Sequence, residues 1–65
     1  MPVTEEREKR AVAHAETALG YYKGIGPPGA FGAAMIEVDL SRYRRAKERN
    51  LDIEAAVVEL EEIEM

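Results

Sequence analysis

The first apolar pattern of the chain has helical spacing and lies on one face of a predicted helix. Its members recur three or four residues apart, with two neighbours that widen the stripe: Ala11, Ala15, Ala18, Tyr22 and Ile25, flanked by Val12 and Leu19. Thr4 precedes the pattern as a suitable N-cap, and Glu5 and Glu6 follow where acidic side chains favour the helix dipole. The pattern predicts a first helix that ends near Lys23 and has a seam made mostly of alanine.

A turn rich in glycine and proline follows the first helix. We expect Gly24 to end that helix in the left-handed conformation, and Ile25 and Gly26 to turn the chain. Pro27 and Pro28 fit the first turn of a second helix, where a missing N–H costs nothing. A short turn between two helices of roughly 30 Å each predicts an antiparallel hairpin.

The second helical pattern extends from Pro27 or Pro28 to Arg49 and has two apolar faces. One face consists of Ala33, Ile36, Leu40 and Tyr43. The opposite face consists of Phe31, Ala34, Met35 and Val38, and it continues as a basic stripe of Arg42, Arg45 and Arg49. One face can pack on the first helix, so the other must contact the third helix or another chain.

A short third helix is predicted after Asn50 and Leu51 break the pattern. Asp52 is its expected cap, and the helix covers residues 53–64. Its apolar stripe is Ile53, Ala56, Val57, Leu60 and Ile63, and its other face is acidic, with Glu54, Glu59, Glu61, Glu62 and Glu64. We therefore expect one all-α domain over residues 1–65, an antiparallel helical hairpin with a short C-terminal helix.

The small size of the chain predicts self-association. A domain of 65 residues buries only about 60% of its unfolded surface, and such small cores usually need a disulfide, a metal or a partner chain. The chain has no cysteine and one histidine, which leaves oligomerisation. We expect a homo-oligomeric bundle with an interface formed by Phe31, Ala34, Met35 and Val38.

Charge and hydropathy narrow the choice of partners. The net charge of −4 argues against nonspecific attraction to nucleic acid or to an anionic membrane. The longest uncharged run, residues 24–36, is shorter than the roughly 20 apolar residues that a membrane span needs. The amino end carries charges of both signs, unlike a signal peptide. We expect a cytoplasmic protein without a membrane partner.

Two groups of residues are candidates for holding an anionic ligand. The first group lies at the turn and offers backbone N–H groups or aromatic rings: Tyr21, Tyr22, Gly26, Gly29 and Ala30. The two prolines have no N–H to donate, so a tight turn with close packing is the competing interpretation. In an oligomer several such turns could converge on one cavity and hold a signalling nucleotide.

The second group is the basic cluster of Arg42, Arg44, Arg45, Lys47 and Arg49, with Tyr43 inside it. Arginines at this density can hold the phosphates of a nucleotide or of nucleic acid, and Arg42, Arg45 and Arg49 are the candidates. The alternative is a surface that forms ion pairs with the acidic third helix. That acidic face could itself mimic nucleic acid, or it could simply be solvated.

No pattern in the chain indicates catalysis. His14 is the only side chain that titrates near neutral pH, and no carboxylate lies three or four residues away to complete a helical metal motif. We expect it to bond to a neighbouring group at the edge of the core. Asp39 lacks a histidine, cysteine or second acid beside it, so we expect a structural role. We expect no enzyme, cofactor or metal.

A Pro-Pro-Gly-x-Phe turn, a short apolar stretch and an Asp-Leu pair follow one another in residues 26–57. The residues concerned are Pro27, Pro28, Gly29, Phe31, Ala34, Ile36, Asp39 and Leu40, and Ala46 and Glu48 follow them. Through these residues the chain resembles small uncharacterised proteins of tailed phages and prophages. The resemblance covers about half of the chain and departs at Val38 and in the arginine run. It implies a phage-type cytoplasmic accessory protein with no catalytic residue.

Together these patterns predict a non-enzymatic, oligomeric binding protein that sequesters or blocks a host factor. That factor is a host protein or an anionic signalling nucleotide. A structural or assembly protein of a virion or packaging complex is one alternative. A nucleic-acid-binding accessory protein that uses the basic second helix is another.

Overall fold

A computed structural model describes residues 3–64, and every regular element in this range is helical. Helix α1 is Glu5–Gly24, helix α2 is Ala30–Glu48 and helix α3 is Glu54–Glu61. A 3-10 turn, Pro27–Gly29, precedes α2. All three helices pack against one another, which confirms the predicted all-α fold.

Helix α1 begins as its sequence predicts but ends differently. The hydroxyl of Thr4 accepts a hydrogen bond from the backbone N–H of Arg7 at 3.1 Å, which satisfies one free donor of the first turn. At the other end, the predicted left-handed conformation of Gly24 is wrong, because Gly24 is the last residue of the helix. The positive φ, 79°, occurs at Gly26, where glycine avoids the steric cost of a side chain. Ile25 consequently leaves the apolar stripe and is 46% exposed.

The two prolines form a 3-10 turn rather than the first turn of α2. The N–H of Gly29 donates to the carbonyl of Gly26 at 2.9 Å, and the N–H of Ala30 donates to that of Pro27. The predicted start of the second α-helix at Pro27 or Pro28 is therefore three or two residues early. The hydrogen bonds of this segment join residues three apart rather than four apart, which is the 3-10 pattern, and the four-residue bonds of α2 begin after it.

A left-handed residue terminates α2 at Asn50, whose φ is 56°. The N–H of Leu51 donates to the carbonyl of Ala46 at 2.9 Å, and that of Asn50 donates to Lys47 at 3.2 Å. This pair of bonds is the Schellman arrangement, which satisfies carbonyls of the last turn. Asn50 and Leu51 thus break the helix as predicted, and Asp52 accepts the N–H of Glu54 at 3.0 Å.

Helix α3 is shorter than the predicted 53–64 at both ends, because it begins at Glu54 and the chain leaves the helix after Glu61. Ile53 therefore occupies the N-cap position, and the expected cap Asp52 lies one residue before it.

The residues after Glu61 bond to α1 instead: Nε2 of His14 lies 2.6 Å from the carbonyl oxygen of Ile63, and the hydroxyl of Tyr22 donates to that of Glu64 at 2.8 Å. These two contacts hold the end of the described chain along α1. The expectation that His14 bonds to a neighbouring group is confirmed.

One small core serves all three helices. Its buried members are Ala11, Ala15 and Ala18 of α1, Ile36 and Leu40 of α2, and Val57 and Leu60 of α3. Leu60 and Val57 are the largest side chains that are fully buried. Three of the seven members are alanines, so the area that each contributes is small.

Polar contacts connect the ends of the helices. The start of α1 contacts the end of α2, because Glu8 accepts bonds from the Tyr43 hydroxyl and from the Lys47 ammonium, the latter at 2.7 Å. The end of α1 contacts the first half of α2 through an ion pair of Lys23 and Glu37 at 3.2 Å.

Helix α3 is joined to the start of α1 by a second set of polar contacts. The Arg7 guanidinium binds both carboxylate oxygens of Glu61 at 2.7 and 2.9 Å. Such a two-point pair fixes the geometry of the contact more tightly than a single bond does.

Glycines allow α1 to approach the turn and α2 closely. A Cβ on Gly29 would lie 2.1 Å from the carbonyl oxygen of Tyr22, which is too short for two atoms that are not bonded. A Cβ on Gly32 would lie 3.0 Å from the Tyr22 ring. Close packing is therefore the role of these two glycines, whereas Gly20 has no atom within 4 Å of such a Cβ.

Candidate functional site

One face of α2 is exposed along its whole length. It consists of Phe31, Ala34, Met35, Val38, Arg42, Arg45 and Arg49, and we call it the outer face. Phe31 is 79% exposed, Met35 50% and Val38 46%. The opposite face of α2 contributes Ile36 and Leu40 to the core that α1 and α3 share. Within the described chain, α3 therefore does not cover the outer face.

The outer face has the spacing of a helix-pairing seam. Phe31, Met35, Val38, Arg42, Arg45 and Arg49 are separated by four and three residues in turn. This alternation is the heptad rhythm that keeps a stripe facing a second helix. The seam extends over about 27 Å at 1.5 Å per residue. Its first half is apolar and its second half is basic.

Exposed apolar side chains concentrate on one part of the molecule. Of the six large apolar side chains that are exposed, five fall between residues 21 and 38, and they are Tyr21, Ile25, Phe31, Met35 and Val38. Leu51 is the sixth. Three of these five, Phe31, Met35 and Val38, share the outer face, and several apolar side chains on one face are typical of an interaction site, whereas a single exposed residue such as Leu51 is ordinary.

The arginines of the outer face form few ion pairs within residues 3–64. Arg42 pairs with Glu59 of α3 at a long 3.6 Å, and both side chains are partly exposed. Neither Arg45 nor Arg49 takes part in an ion pair in the described range. The predicted pairing of the basic cluster with α3 thus applies to one arginine, while Lys47 pairs with Glu8 of α1 instead.

A shallow depression of about 500 Å³ marks the junction of the apolar and basic halves. It is lined by Ala34, Glu37, Val38, Ser41, Arg42 and Arg45. Asp39 lies beside it and is half-buried. Burial raises the pKa of its carboxyl, Glu59 adds to the increase and Arg42 opposes it. The Asp39 side chain takes part in none of the hydrogen bonds or ion pairs described for residues 3–64, so its structural role stays a prediction.

The backbone donors proposed for an anion at the turn are already used within the chain. The N–H of Gly26 donates to Lys23 at 3.2 Å, that of Gly29 donates to Gly26, and that of Ala30 donates to Pro27. A bound anion would have to replace these bonds. The geometry favours the tight-turn interpretation of this segment.

The two tyrosines near the turn have different surroundings. Tyr22 packs its ring against Gly32 and donates its hydroxyl to the carbonyl of Glu64, so its polar and apolar parts are both engaged. Tyr21 is 53% exposed and contacts the Tyr22 ring edge-to-face, with centroids 5.4 Å apart. Tyr21 alone of the pair remains accessible to a ligand.

The structure separates the two groups of candidate ligand residues. Ala30 begins α2 and Arg49 caps its other end, so about 28 Å of helix lies between them. One chain therefore does not bring the turn and the arginines together. Their convergence across several chains of an oligomer stays a prediction.

A second groove lies between α1 and α2. It has a volume of about 460 Å³, and its apolar floor is formed by Val12, Ala13 and Tyr43. Glu8 closes part of this groove by bonding to both Tyr43 and Lys47. The Lys47 ammonium, and after it the Tyr43 hydroxyl, lowers the pKa of the Glu8 carboxyl. These groups satisfy one another, and the arrangement offers no reactive side chain.

Sequence reasoning missed two of these contacts. Glu8 is 35 residues from Tyr43, and no local pattern indicates that pairing. The packing of Tyr22 on Gly32 did have a signal, because a glycine inside a helical pattern often marks a close approach.

Residues 3–64 show neither a metal-binding cluster nor a membrane-spanning helix. No cluster of three or more histidine or acidic side chains is placed to hold a metal ion there. None of the described helices has the length and apolar character to cross a membrane.

Comparison of the chain with protein-family models, with curated proteins and with solved structures gives no match. The resemblance to phage proteins therefore stays a prediction. The fold and the outer face together define the class: a small three-helix protein with an amphipathic helix face that no other part of residues 3–64 covers.

Proposed function

We propose that this chain is a non-enzymatic binding protein that acts by occupying a surface of a partner protein. The observation that carries the proposal is the exposure of Phe31, Met35 and Val38 on a helix whose other face is fully packed. Apolar area in water costs about 25 cal/mol per Å² relative to burial. Burial of these side chains against a partner protein would recover this free energy.

The antiparallel hairpin predicted from the sequence belongs to this proposal. It is supported by the contacts of Glu8 with Lys47 and of Lys23 with Glu37, which join opposite ends of α1 and α2. A hairpin of this kind presents the outer face as a straight, rigid stripe. The phage resemblance makes a host protein in the cytoplasm the expected partner.

The test uses a photo-crosslinking residue at Met35 in cells that express the protein. The crosslinked species should disappear when Val38→Glu is added, because a carboxylate would be buried at the centre of the contact. Leu51→Glu is the matched control, since Leu51 is similarly exposed but lies off the outer face. Crosslinking that survives Val38→Glu would refute the proposal.

Self-association through Phe31, Ala34, Met35 and Val38 is the second candidate, as a subunit of an assembly. The small core favours it, because seven buried residues that include three alanines give a 65-residue chain little margin of stability. Sedimentation of the purified protein separates the two candidates. A dimer or ring that Val38→Glu dissociates and Leu51→Glu preserves supports self-association, and a monomer supports the partner protein.

Nucleic acid and small anions fit the outer face less well. The chain carries a net charge of −4, which disfavours nonspecific attraction to nucleic acid. The turn and the arginines lie at opposite ends of α2. The proposal therefore assigns the arginines to recognition of a protein.

A further inference from the structure

We infer that the outer face binds a single amphipathic helix of a partner protein, apolar over one half and acidic over the other. This inference rests on the proposed function and specifies the partner's chemistry. Four observations carry it, namely the spacing of the face, its area, its charge pattern and the lack of internal ion pairs at its basic end.

The spacing points to a helix as the occupant. Phe31, Met35, Val38, Arg42, Arg45 and Arg49 follow the alternation of four and three residues over the full length of α2. A helix that crosses at a shallow angle stays in contact with such a stripe from end to end. A helix of about 18–20 residues would match the 27 Å of the face.

The area argues that the partner also covers the basic half. A stable interface buries about 800 Å² on each partner, and even a fully buried aromatic side chain supplies only about 150–250 Å². The apolar half offers Phe31, Ala34, Met35 and Val38, which are already partly covered. These four side chains cannot reach the usual area, so the contact extends over the arginines.

The charge pattern argues against a second copy as that partner. Parallel pairing of two α2 helices would place Arg42, Arg45 and Arg49 against the same arginines of the second copy. Antiparallel pairing over the whole face would place them against Phe31, Met35 and Val38. The first arrangement brings like charges together, which costs several kcal/mol, and the second places guanidinium groups against apolar side chains. Glu37 borders the face but is already paired with Lys23 of its own chain at 3.2 Å.

An acidic half-helix satisfies the same groups. Arg45 and Arg49 have no ion-pair partner within residues 3–64, and the Arg42–Glu59 pair is long at 3.6 Å. Carboxylates on a facing helix can bind each guanidinium through two hydrogen bonds. Charge at one end and apolar contact at the other also fix the register and direction of the partner.

The test uses synthetic helical peptides of about 20 residues with leucine at the seam positions of one half. In one set the seam of the other half carries glutamate, in a second set lysine, and in a third serine. Each set contains two peptides. In one the variable half is at the amino end, and in the other it is at the carboxyl end. Binding to the full protein is measured by fluorescence anisotropy at low and high salt.

We expect one glutamate peptide to bind at least about tenfold tighter than the serine peptide, and the lysine peptides to bind more weakly still. The advantage of glutamate should shrink as salt screens the charges. The double variant Arg45→Glu/Arg49→Glu should reverse the order and prefer lysine. These two arginines are chosen because no described ion pair of the fold depends on them.

The outcomes separate this inference from the proposed function. Equal binding of all three sets would overturn the acidic-helix inference and leave the outer face as an apolar docking surface. A wild-type dimer that excludes every peptide would overturn it in favour of a second copy. If the wild-type protein is a monomer and binds none of the peptides, the inference is overturned. That result would also count against binding of a helix by the outer face.

Discussion

Two glycines that look alike in the sequence have opposite roles in the structure. A Cβ at Gly29 would strike the carbonyl oxygen of Tyr22 at 2.1 Å, and at Gly20 it would meet nothing within 4 Å. We expect Gly29→Ala to destabilise the protein, because the turn must move away from α1. Gly20→Ala should stabilise it by up to about 1 kcal/mol, since alanine is the better helix former.

Thermal denaturation followed by circular dichroism measures both glycine variants. An unchanged melting temperature for Gly29→Ala would contradict the close packing of the turn on α1. A loss of stability in Gly20→Ala would show that the open space beside Gly20 is occupied, for instance by a second chain.

The phenol of Tyr43 is expected to ionise late. Burial, and then the hydrogen bond and negative charge of Glu8, raises the pKa of Tyr43 to about 12, against an ordinary value of 10.0. A raised folded-state pKa means that this group's contribution to stability is complete below pH 10 and is lost as the pH rises through about 12. Tyr43→Phe should therefore flatten the alkaline loss of stability.

Ultraviolet absorbance of tyrosinate during an alkaline titration checks this prediction. The wild type should show a late component that Tyr43→Phe removes and Tyr21→Phe leaves in place, since Tyr21 takes no part in the bond between Tyr43 and Glu8. Ionisation of all three tyrosines in one early step would contradict the bond between Tyr43 and Glu8.

At the residue scale, the sequence predicted roles that depend on local chemistry. The bonded state of His14 followed from its position at the edge of an apolar stripe. The pairing of Glu8 with Lys47 did not, because both are ordinary charged residues of separate helices. Only the packing of α1 on α2 decides which charges meet.

Among the elements, α3 depends most on its cap. A helix of eight residues is too short to be stable alone in water. The carboxylate of Asp52 accepts the N–H of Glu54 at 3.0 Å and so satisfies a free donor of the first turn. We expect Asp52→Ala to cost about 0.5–2 kcal/mol.

Urea denaturation measures the effect of the Asp52 cap. Asp52→Asn is the matched control, because the amide oxygen still accepts the same hydrogen bond. If Asp52→Asn lost as much stability as Asp52→Ala, the carboxylate would act through its charge rather than through the cap.

At the element scale, the sequence predicted all three helices but misplaced the left-handed residue after α1, the start of α2 and the end of α3. Gly24 looked like the left-handed end of α1, yet the positive φ falls two residues later at Gly26, after Ile25 has continued the turn. The segment contains several glycines that could each adopt the positive φ, and composition alone does not predict which one does. The end of α3 was missed because the residues after Glu61 are fixed by contacts with another helix, in which His14 and Tyr22 of α1 bond to the carbonyls of Ile63 and Glu64.

For the whole molecule, the spacing of apolar residues along α2 predicted more of the architecture than any other pattern in the chain. Its two apolar faces indicated that one would be buried and one would not, and the structure shows Ile36 and Leu40 inside and Phe31 and Val38 outside. The proposed occupant of the outer face is not encoded in local spacing alone, because it would belong to another chain. The division into an apolar and a basic half is the part of that recognition that the chain itself specifies.

The shared core predicts that the molecule unfolds as one unit. Leu60 is completely buried and, with Val57, joins α3 to the alanines of α1 and to Ile36 and Leu40 of α2. Replacing a buried leucine by alanine costs about 2–5 kcal/mol. A domain of 65 residues has a total stability of roughly 3–10 kcal/mol at the usual value per residue. Leu60→Ala should therefore remove much of the stability, and α1 and α2 should unfold together with α3.

Circular dichroism and tyrosine fluorescence, recorded during the same denaturation, distinguish this outcome from local release of α3. Coincident transitions in both the wild type and Leu60→Ala indicate one cooperative core. Ala55→Gly is a useful control, because Ala55 is exposed on α3 and the change weakens the helix without opening the core. If Leu60→Ala retained the helicity of α1 and α2 while losing only that of α3, the hairpin would be an independent unit. The outer face would then be presented by two helices alone, and α3 would be free to move.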